Sequence, residues 1–316
     1  MSRPFRFGVN MMTPAAGKEW RAKCRRAEAL GYDVILVPDH LGMPAPFPAV
    51  VAAAEATERP RVGTFVLNAA FWNPTLLARE VATTDALTGG RLEVGLGTGY
   101  VKAEFDAAGV PWGTPGERVS ALVAAVEAVD GLSAPPGQAP GPPASPEQAP
   151  RPPASPKQAF GPLQRPRPPL LIGGNGDRVL KVVAEHADIA AFTGARAEPG
   201  DPNGALTVLT AEALDDRVAT YRRLAAARPA PAELNVLVQL VEVTPDRRAA
   251  IRPSLTLVPH LTEDEALDLP ILLIGTVRQL AEQLRAQRER YGFSYITVLE
   301  PAMEAFGPVI EELAGS

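Results

Sequence analysis

The sequence predicts an α/β protein of the (β/α)8 TIM-barrel class with insertions, and three observations carry that expectation. Eight short apolar runs of strand character follow one another, most of them succeeded by a stretch with helical periodicity. Glycines and polar side chains recur at the carboxyl ends of those runs, where such barrels place their binding groups. The 316 residues suit one barrel of about 250 residues plus insertions, so positions 1–316 are read as a single domain.

Residues 5–11 form the first strand, and 18–30 have the period of a helix that stops at the C-cap glycine Gly31. Val34–Val37 is wholly apolar, as a parallel strand buried on both faces should be, and it ends in Pro38-Asp39-His40. A helix over 47–57, a strand over 62–68 and a helix over 75–87 follow. Gly89 and Gly90 turn the chain into a strand over 92–96, and a loop through Trp112 leads to a helix over 115–132.

The alternation then stops. Residues 134–169 hold 14 of the 34 prolines and a repeated decapeptide, PPASPEQAPR then PPASPKQAFG. With few apolar side chains to offset ordering entropy, this insertion reads as an exposed, partly polyproline linker or surface loop. Alternation resumes with a strand over 170–173, a helix over 177–187 and a strand over 188–193. A helix over 212–228 and a strand over 235–243 follow. After an irregular region come an ambiguous apolar run at 271–274, a helix over 276–290, a strand over 295–299 and a helix over 303–314. The rival architecture is a doubly wound sheet. Its support, Gly95-Leu96-Gly97-Thr98-Gly99, lacks the third glycine of a dinucleotide fingerprint and follows the fourth strand instead of the first.

A net charge of −5 speaks against a general nucleic-acid binder. No apolar run reaches the length of a membrane span and the opening has no signal-peptide core, so a cytoplasmic protein is expected. Cys24 is the single cysteine and sits at helical spacing with Trp20, Ala27 and Leu30, which points to burial. The three histidines show no metal-ligand spacing, so no metal is expected. There is no nucleophile elbow and no P-loop.

If the fold is a barrel, the strand ends collect one site: residues 10–12, Asp39 and His40, Asn68, 98–100 and 173–178. His40 is the proton-transfer candidate, because an imidazole exchanges its proton near neutrality and Asp39 stands beside it. His186 reads as a packed or capping residue. The stretch LLIGGNGDR, 170–178, runs from a buried strand through Gly173, Gly174 and Gly176 into a helix. Unpaired N–H groups at a helix start, approached through glycine, make an anion seat.

Four stretches resemble the luciferase-like superfamily of flavin and deazaflavin enzymes: VPDH at 37–40, the block from GTFVLNAAFWNP to EVGLGTGY at 63–100, RPRPPLLIGGNGDRVLKVVAEHADI at 165–189, and LIGTVRQLAEQL at 273–284. Within it the chain is similar to the coenzyme F420-dependent oxidoreductases. The resemblance implies an insertion-bearing TIM barrel, often a homodimer, with the cofactor across the strand ends. It implies a non-prolyl cis peptide or bulge in the segment of Val66, Leu67, Asn68 and Ala69, and places Asp39 and His40 near the reactive edge of the ring. Thr98 would also border the cofactor, and Gly173, Gly174, Asn175, Gly176, Asp177 and Arg178 would hold its phosphate. Related glucose-6-phosphate dehydrogenases carry a glutamate directly after the glycine–threonine–glycine of strand four, where this chain has Tyr100. That departure weakens a sugar-phosphate reading, and Glu104, one turn on, could act as an acid or merely pair. The proline-rich run also stands where many relatives have an ordered segment near the site, so part of the usual wall is expected to be missing or mobile.

The implied activity is hydride transfer between deazaflavin C5 and a small-molecule or modified-peptide substrate, as a biosynthetic reductase, with His40 or Tyr100 handling the proton. FMN shares the ring and ribityl phosphate and is the alternative cofactor; Arg178 and Lys181 are candidates for the extra anionic tail of F420. Two further readings stay open: an FMNH2-dependent monooxygenase, and a non-catalytic cofactor- or partner-binding protein.

Overall fold

A computed structural model describes residues 3–133, 161–198, 201, 205–256 and 258–314. Eight parallel strands make a closed barrel: β1 (Arg6–Asn10), β2 (Val34–Val37), β3 (Arg61–Thr64), β4 (Leu92–Gly97), β5 (Leu170–Gly173), β6 (Ile189–Phe192), β7 (Glu233–Val238) and β8 (Phe293–Leu299). Each pairs with its neighbour in chain order. β8 returns to β1 with Arg6 opposite Tyr295, and β3 meets β4 through Val62–Leu92 and Gly63–Glu93. The doubly wound alternative is thereby excluded.

Strand alternation sorts the apolar residues into two cores. Val34, Leu36, Phe65, Leu171, Ile189, Ala191 and Tyr295 form the cluster inside the barrel. Their neighbours Ile35, Val37, Leu170, Ile172 and Ala190 belong to a larger core between the strands and the outer helices. At the amino ends of the strands the interior is closed by charge: Glu93, 2% exposed, takes Arg6 at 2.6 Å and Arg61 at 2.7 Å, and Arg6 also reaches Glu233 at 3.0 Å. A buried charge persists only when paired in this way. The accessible mouth is therefore at the carboxyl ends.

The helices are α1 (Gly17–Ala29), α2 (Pro46–Ala56), α3 (Pro74–Leu87), α4 (Lys102–Ala108), α5 (Pro115–Asp130), α6 (Asp177–His186), α7 (Ala211–Leu224), α8 (Arg247–Ile251), α9 (Glu263–Leu267), α10 (Val277–Tyr291) and α11 (Met303–Leu313). Side chains of Asn73, Thr114, Thr210 and Thr276 cap α3, α5, α7 and α10. Among the described residues no helix is long and apolar enough to cross a membrane.

Three expectations need correction. The strand expected over 235–243 is two strands. β7 ends at Val238, and Leu240–Val243 leaves the barrel to pair with Leu272–Gly275, which gives the ambiguous run at 271–274 its place. The loop through Trp112 contains α4. Finally, 161–169 is not linker: Arg167 pairs with Asp130 at 2.5 Å and with Asp188, and donates to the His186 carbonyl at 3.1 Å. Gln164 bonds Asp85 through its backbone N–H at 2.9 Å and its amide at 2.7 Å. Residues 134–160 lie outside the described residues. The points where they leave and rejoin the barrel, after α5 and before β5, are at the amino ends of the strands. The expectation that part of the usual wall of the site is missing or mobile along the proline-rich run falls on these residues and lies outside those described.

Candidate active site

Strand β2 delivers Asp39 and His40 to the mouth. Asp39 Oδ2 accepts hydrogen bonds from the Asn68 backbone N–H at 3.1 Å and from Trp72 Nε1 at 2.9 Å. Burial raises the Asp39 carboxyl above the ordinary carboxylate range, and these two donors oppose the shift. His40 turns instead toward α4, where its Nδ1 lies 3.0 Å and 3.1 Å from the two oxygens of Glu104. The two side chains are 24% and 16% exposed, so the pair is largely shielded yet reachable. The sequence brings Asp39 and His40 together by adjacency, but the structure separates their work: Asp39 pins the segment after β3, and Glu104 orients the imidazole.

Glu104 is held in place by the next residue. Phe105 is fully buried between Phe71, 5.0 Å away, and Trp112, 4.8 Å away, and the Arg118 guanidinium stacks on Trp112 at 3.7 Å. Tyr100 meets His40 edge-on with ring centroids 5.6 Å apart and is 48% exposed. Partial burial, and then the Glu104 carboxylate, raise its hydroxyl above the usual tyrosine value.

Between β3 and the short strand Leu67–Asn68 the Phe65–Val66 peptide is cis, in the segment where the resemblance places such a bond or bulge. Leu67 and Asn68 then pair with Leu96 and Gly97. The Val66 side chain lies across the ends of β4 and β5: an added methyl at Gly97 would sit 2.7 Å from it, and one at Gly173 3.6 Å. Gly99, at φ +70°, packs directly on the buried Asn68 amide, and Thr98 is half-buried between these contacts.

The stretch after β5 forms the second half of the site. Gly174 has φ +142°, and its N–H reaches the Ala191 carbonyl at 3.2 Å. Asn175 is 5% exposed; its Nδ2 donates to the Ala195 carbonyl at 2.6 Å, while its Oδ1 is buried with no partner. Gly176 precedes α6 as its N-cap and has no capping side chain, so the N–H groups of Asp177, Arg178 and Val179 have no acceptor among the described residues. The Asp177 carboxylate turns away to Arg217, leaving its backbone as its contribution. The Arg178 guanidinium overlies Gly116 at the start of α5. Uncapped amides, an exposed arginine and an orphaned buried carbonyl fit a ribityl phosphate, whose phosphate needs donors and whose hydroxyls need acceptors.

Sequence reasoning missed two contributors. Trp72, the indole partner of Asp39, lies inside the 63–100 block, but nothing in its spacing reveals the contact. Glu300, just past β8, accepts the N–H groups of Met12 and Thr13 at 2.7 Å each and pairs with Lys23, which fixes the loop after β1. His186 is structural, with Nδ1 2.6 Å from Asp130. Beside the mouth an open cavity of about 710 Å³ is lined by Tyr100, Val101, Lys102, Asp106, Asp201 and Leu206.

Fold and site together define a parallel (β/α)8 barrel with an imidazole–carboxylate pair and an uncapped helix start at its open mouth. The family model for luciferase-like monooxygenases matches residues 1–258, and the chain belongs to that family. It is similar to the F420-dependent glucose-6-phosphate dehydrogenase of Intrasporangium calvum, 39% identical over 112 residues, which is 32% of this chain and 34% of the relative. It is also similar to the oxygenase component of the flavin-dependent trigonelline monooxygenase of Acinetobacter baylyi, 31% identical over 111 residues, 33% of this chain and 31% of the relative. These matches thus span about a third of each relative's length. Among solved structures, the monooxygenase RslO1 of Streptomyces bottropensis superposes with a TM-score of 0.72 at 20% identity, over 98% of this chain and 100% of that one. That likeness concerns the fold.

Proposed function

We propose that this chain is an F420-dependent oxidoreductase that moves a hydride between the deazaflavin C5 and a small organic or peptide substrate, in the direction of substrate reduction. The His40–Glu104 pair at the barrel mouth is the observation that carries this reading. When bound, the deazaflavin supplies the two-electron chemistry, and the protein supplies position and proton control. With the Nδ1 proton donated to Glu104, Nε2 is the ring atom left to hold or pass the proton that accompanies the hydride. Tyr100, its hydroxyl shifted upward, keeps its proton near neutrality and serves as a donor or a wall. Val66 and Leu67 would face the ring, and the α6 start with Arg178 the phosphate. The expected homodimer and cytoplasmic setting belong to the same proposal.

F420 is preferred over FMN because relatives such as the Intrasporangium dehydrogenase are named for it, and because Arg178 and Lys181 stand exposed on α6, where an anionic tail would find counter-charge. Titration of the purified protein with each cofactor tests this: tighter binding of F420 is expected, and a clear preference for FMN overturns it. A second reading, an FMNH2-dependent monooxygenase, is supported by the trigonelline monooxygenase relative. Turnover without oxygen on F420H2 separates it from oxygen-requiring turnover on FMNH2.

A further inference from the structure

We infer that the cavity beside Tyr100 is the substrate site and that it takes an uncharged molecule with an apolar face, not a phosphorylated or carboxylated one. This deepens the oxidoreductase reading and rests on it. Tyr100 belongs to both places: its ring edge meets His40, 5.6 Å away, and it lines the cavity of about 710 Å³. That volume falls among those of small-molecule sites, roughly 300–1,000 Å³.

The lining explains the preference. Tyr100 at 48% and Leu206 at 46% exposure are large hydrophobic side chains left open to solvent, and they face the same concavity with Val101, Ala103 and Ala205 between them. Open apolar surface gathered in a concave wall next to an acid–base pair gains by being covered with apolar ligand surface. The charges there are unsuited to an anion. Lys102, the one cation among the described lining residues, is paired with Asp106 at 2.7 Å, and Asp201 accepts the Ala205 N–H at 3.1 Å. The lining thus carries two carboxylates against one ammonium, with Glu104 close behind. A phosphate or carboxylate entering it would give up hydration and meet like charge. An uncharged ligand gives up far less.

The test measures binding of cinnamamide, cinnamate and glucose 6-phosphate to the F420-loaded protein by calorimetry. Cinnamamide and cinnamate share a flat ring and differ in charge. Cinnamamide should bind about tenfold more tightly than either anion, and Tyr100→Ala and Leu206→Asp should each weaken it about tenfold. Leu206→Asp should leave F420 affinity unchanged. Cinnamate or glucose 6-phosphate binding as well as cinnamamide overturns the inference, as does cinnamamide binding that neither variant alters or that is absent altogether. Failure of the cofactor reading appears separately, as wild-type protein that does not take up F420.

Discussion

Both carboxylate oxygens of Glu104 lie within 3.0 and 3.1 Å of His40 Nδ1, although 64 residues separate the two in sequence. A carboxylate on one imidazole nitrogen fixes the ring's tautomer and leaves the other nitrogen to face a ligand. If that arrangement serves proton transfer, His40→Ala should lower kcat by about 100-fold or more, within the usual range for losing a general acid or base. Glu104→Gln keeps a polar partner without the charge and should lower kcat by about tenfold. Stopped-flow turnover measures both, with cofactor titrations as control. Full turnover in His40→Ala removes its essential role.

Phe105 connects this chemistry to packing. It is fully buried in an aromatic cluster and lies next to Glu104 on a helix of seven residues, too short to hold itself. Phe105→Ala should cost about 3–5 kcal/mol of stability by leaving a cavity. It should also lower kcat under conditions where the barrel stays folded. Urea unfolding and kinetics on one preparation check the two effects; an unchanged urea midpoint would remove Phe105 as the anchor.

The parts of this fold legible in the sequence were those written locally. Val34–Val37 and Leu170–Ile172 declare buried parallel strands by being apolar without alternation, and Gly31 and Gly90 mark turns. Leu240–Val243 reads as continuous with the preceding strand, because only a partner far along the chain, Leu272–Gly275, shows that it has left the barrel. Helix α4 escaped because seven residues give too little periodicity. The strand-end rule gathers His40, Asp39 and the α6 start at one mouth, where the structure also places them. It could not show which carboxylate serves His40, since Asp39 is adjacent in sequence while Glu104 is adjacent in space.

Gly174 offers a test of the anion seat. At φ +142° an added methyl would be strained and would sit 2.9 Å from Val179 Cγ1 in the first turn of α6. Gly174→Ala should cost about 1–3 kcal/mol of local strain. The strained turn should displace the amides of Asp177 and Arg178 and weaken cofactor binding by about tenfold or more. Fluorescence titration reads the affinity while circular dichroism verifies the fold. Unchanged affinity would place the phosphate elsewhere.

Cys24 gives a pH prediction. Burial pushes its thiol up to about 12, whereas an unfolded cysteine titrates near about 8.5. The folded pKa is the higher one, so the folded state retains a proton that the unfolded chain loses. This linkage is silent below about pH 8 and destabilises the fold progressively as pH rises from there toward 12. A thiol reagent should label Cys24 only after unfolding in urea. Rapid labelling of the native protein would contradict its burial.

The clamp around Arg167 makes the last prediction. Arg167 ties Asp130, at the end of α5, to Asp188, just before β6, and Asp85 holds Gln164 by two bonds. Both ends of the stretch 134–160 are therefore fastened to the barrel independently of it, at the strand ends opposite His40. Closing a shorter loop costs less entropy, about 0.6 kcal/mol for each halving of length. Replacing 134–160 with a short glycine–serine linker should leave thermal stability equal or slightly raised, and cofactor affinity and kcat unchanged. Asp130→Ala, which removes a partner shared by Arg167 and His186, should destabilise more than the deletion does. Loss of turnover on deletion, with the fold intact, would assign this segment a role at the mouth despite its attachment at the other end.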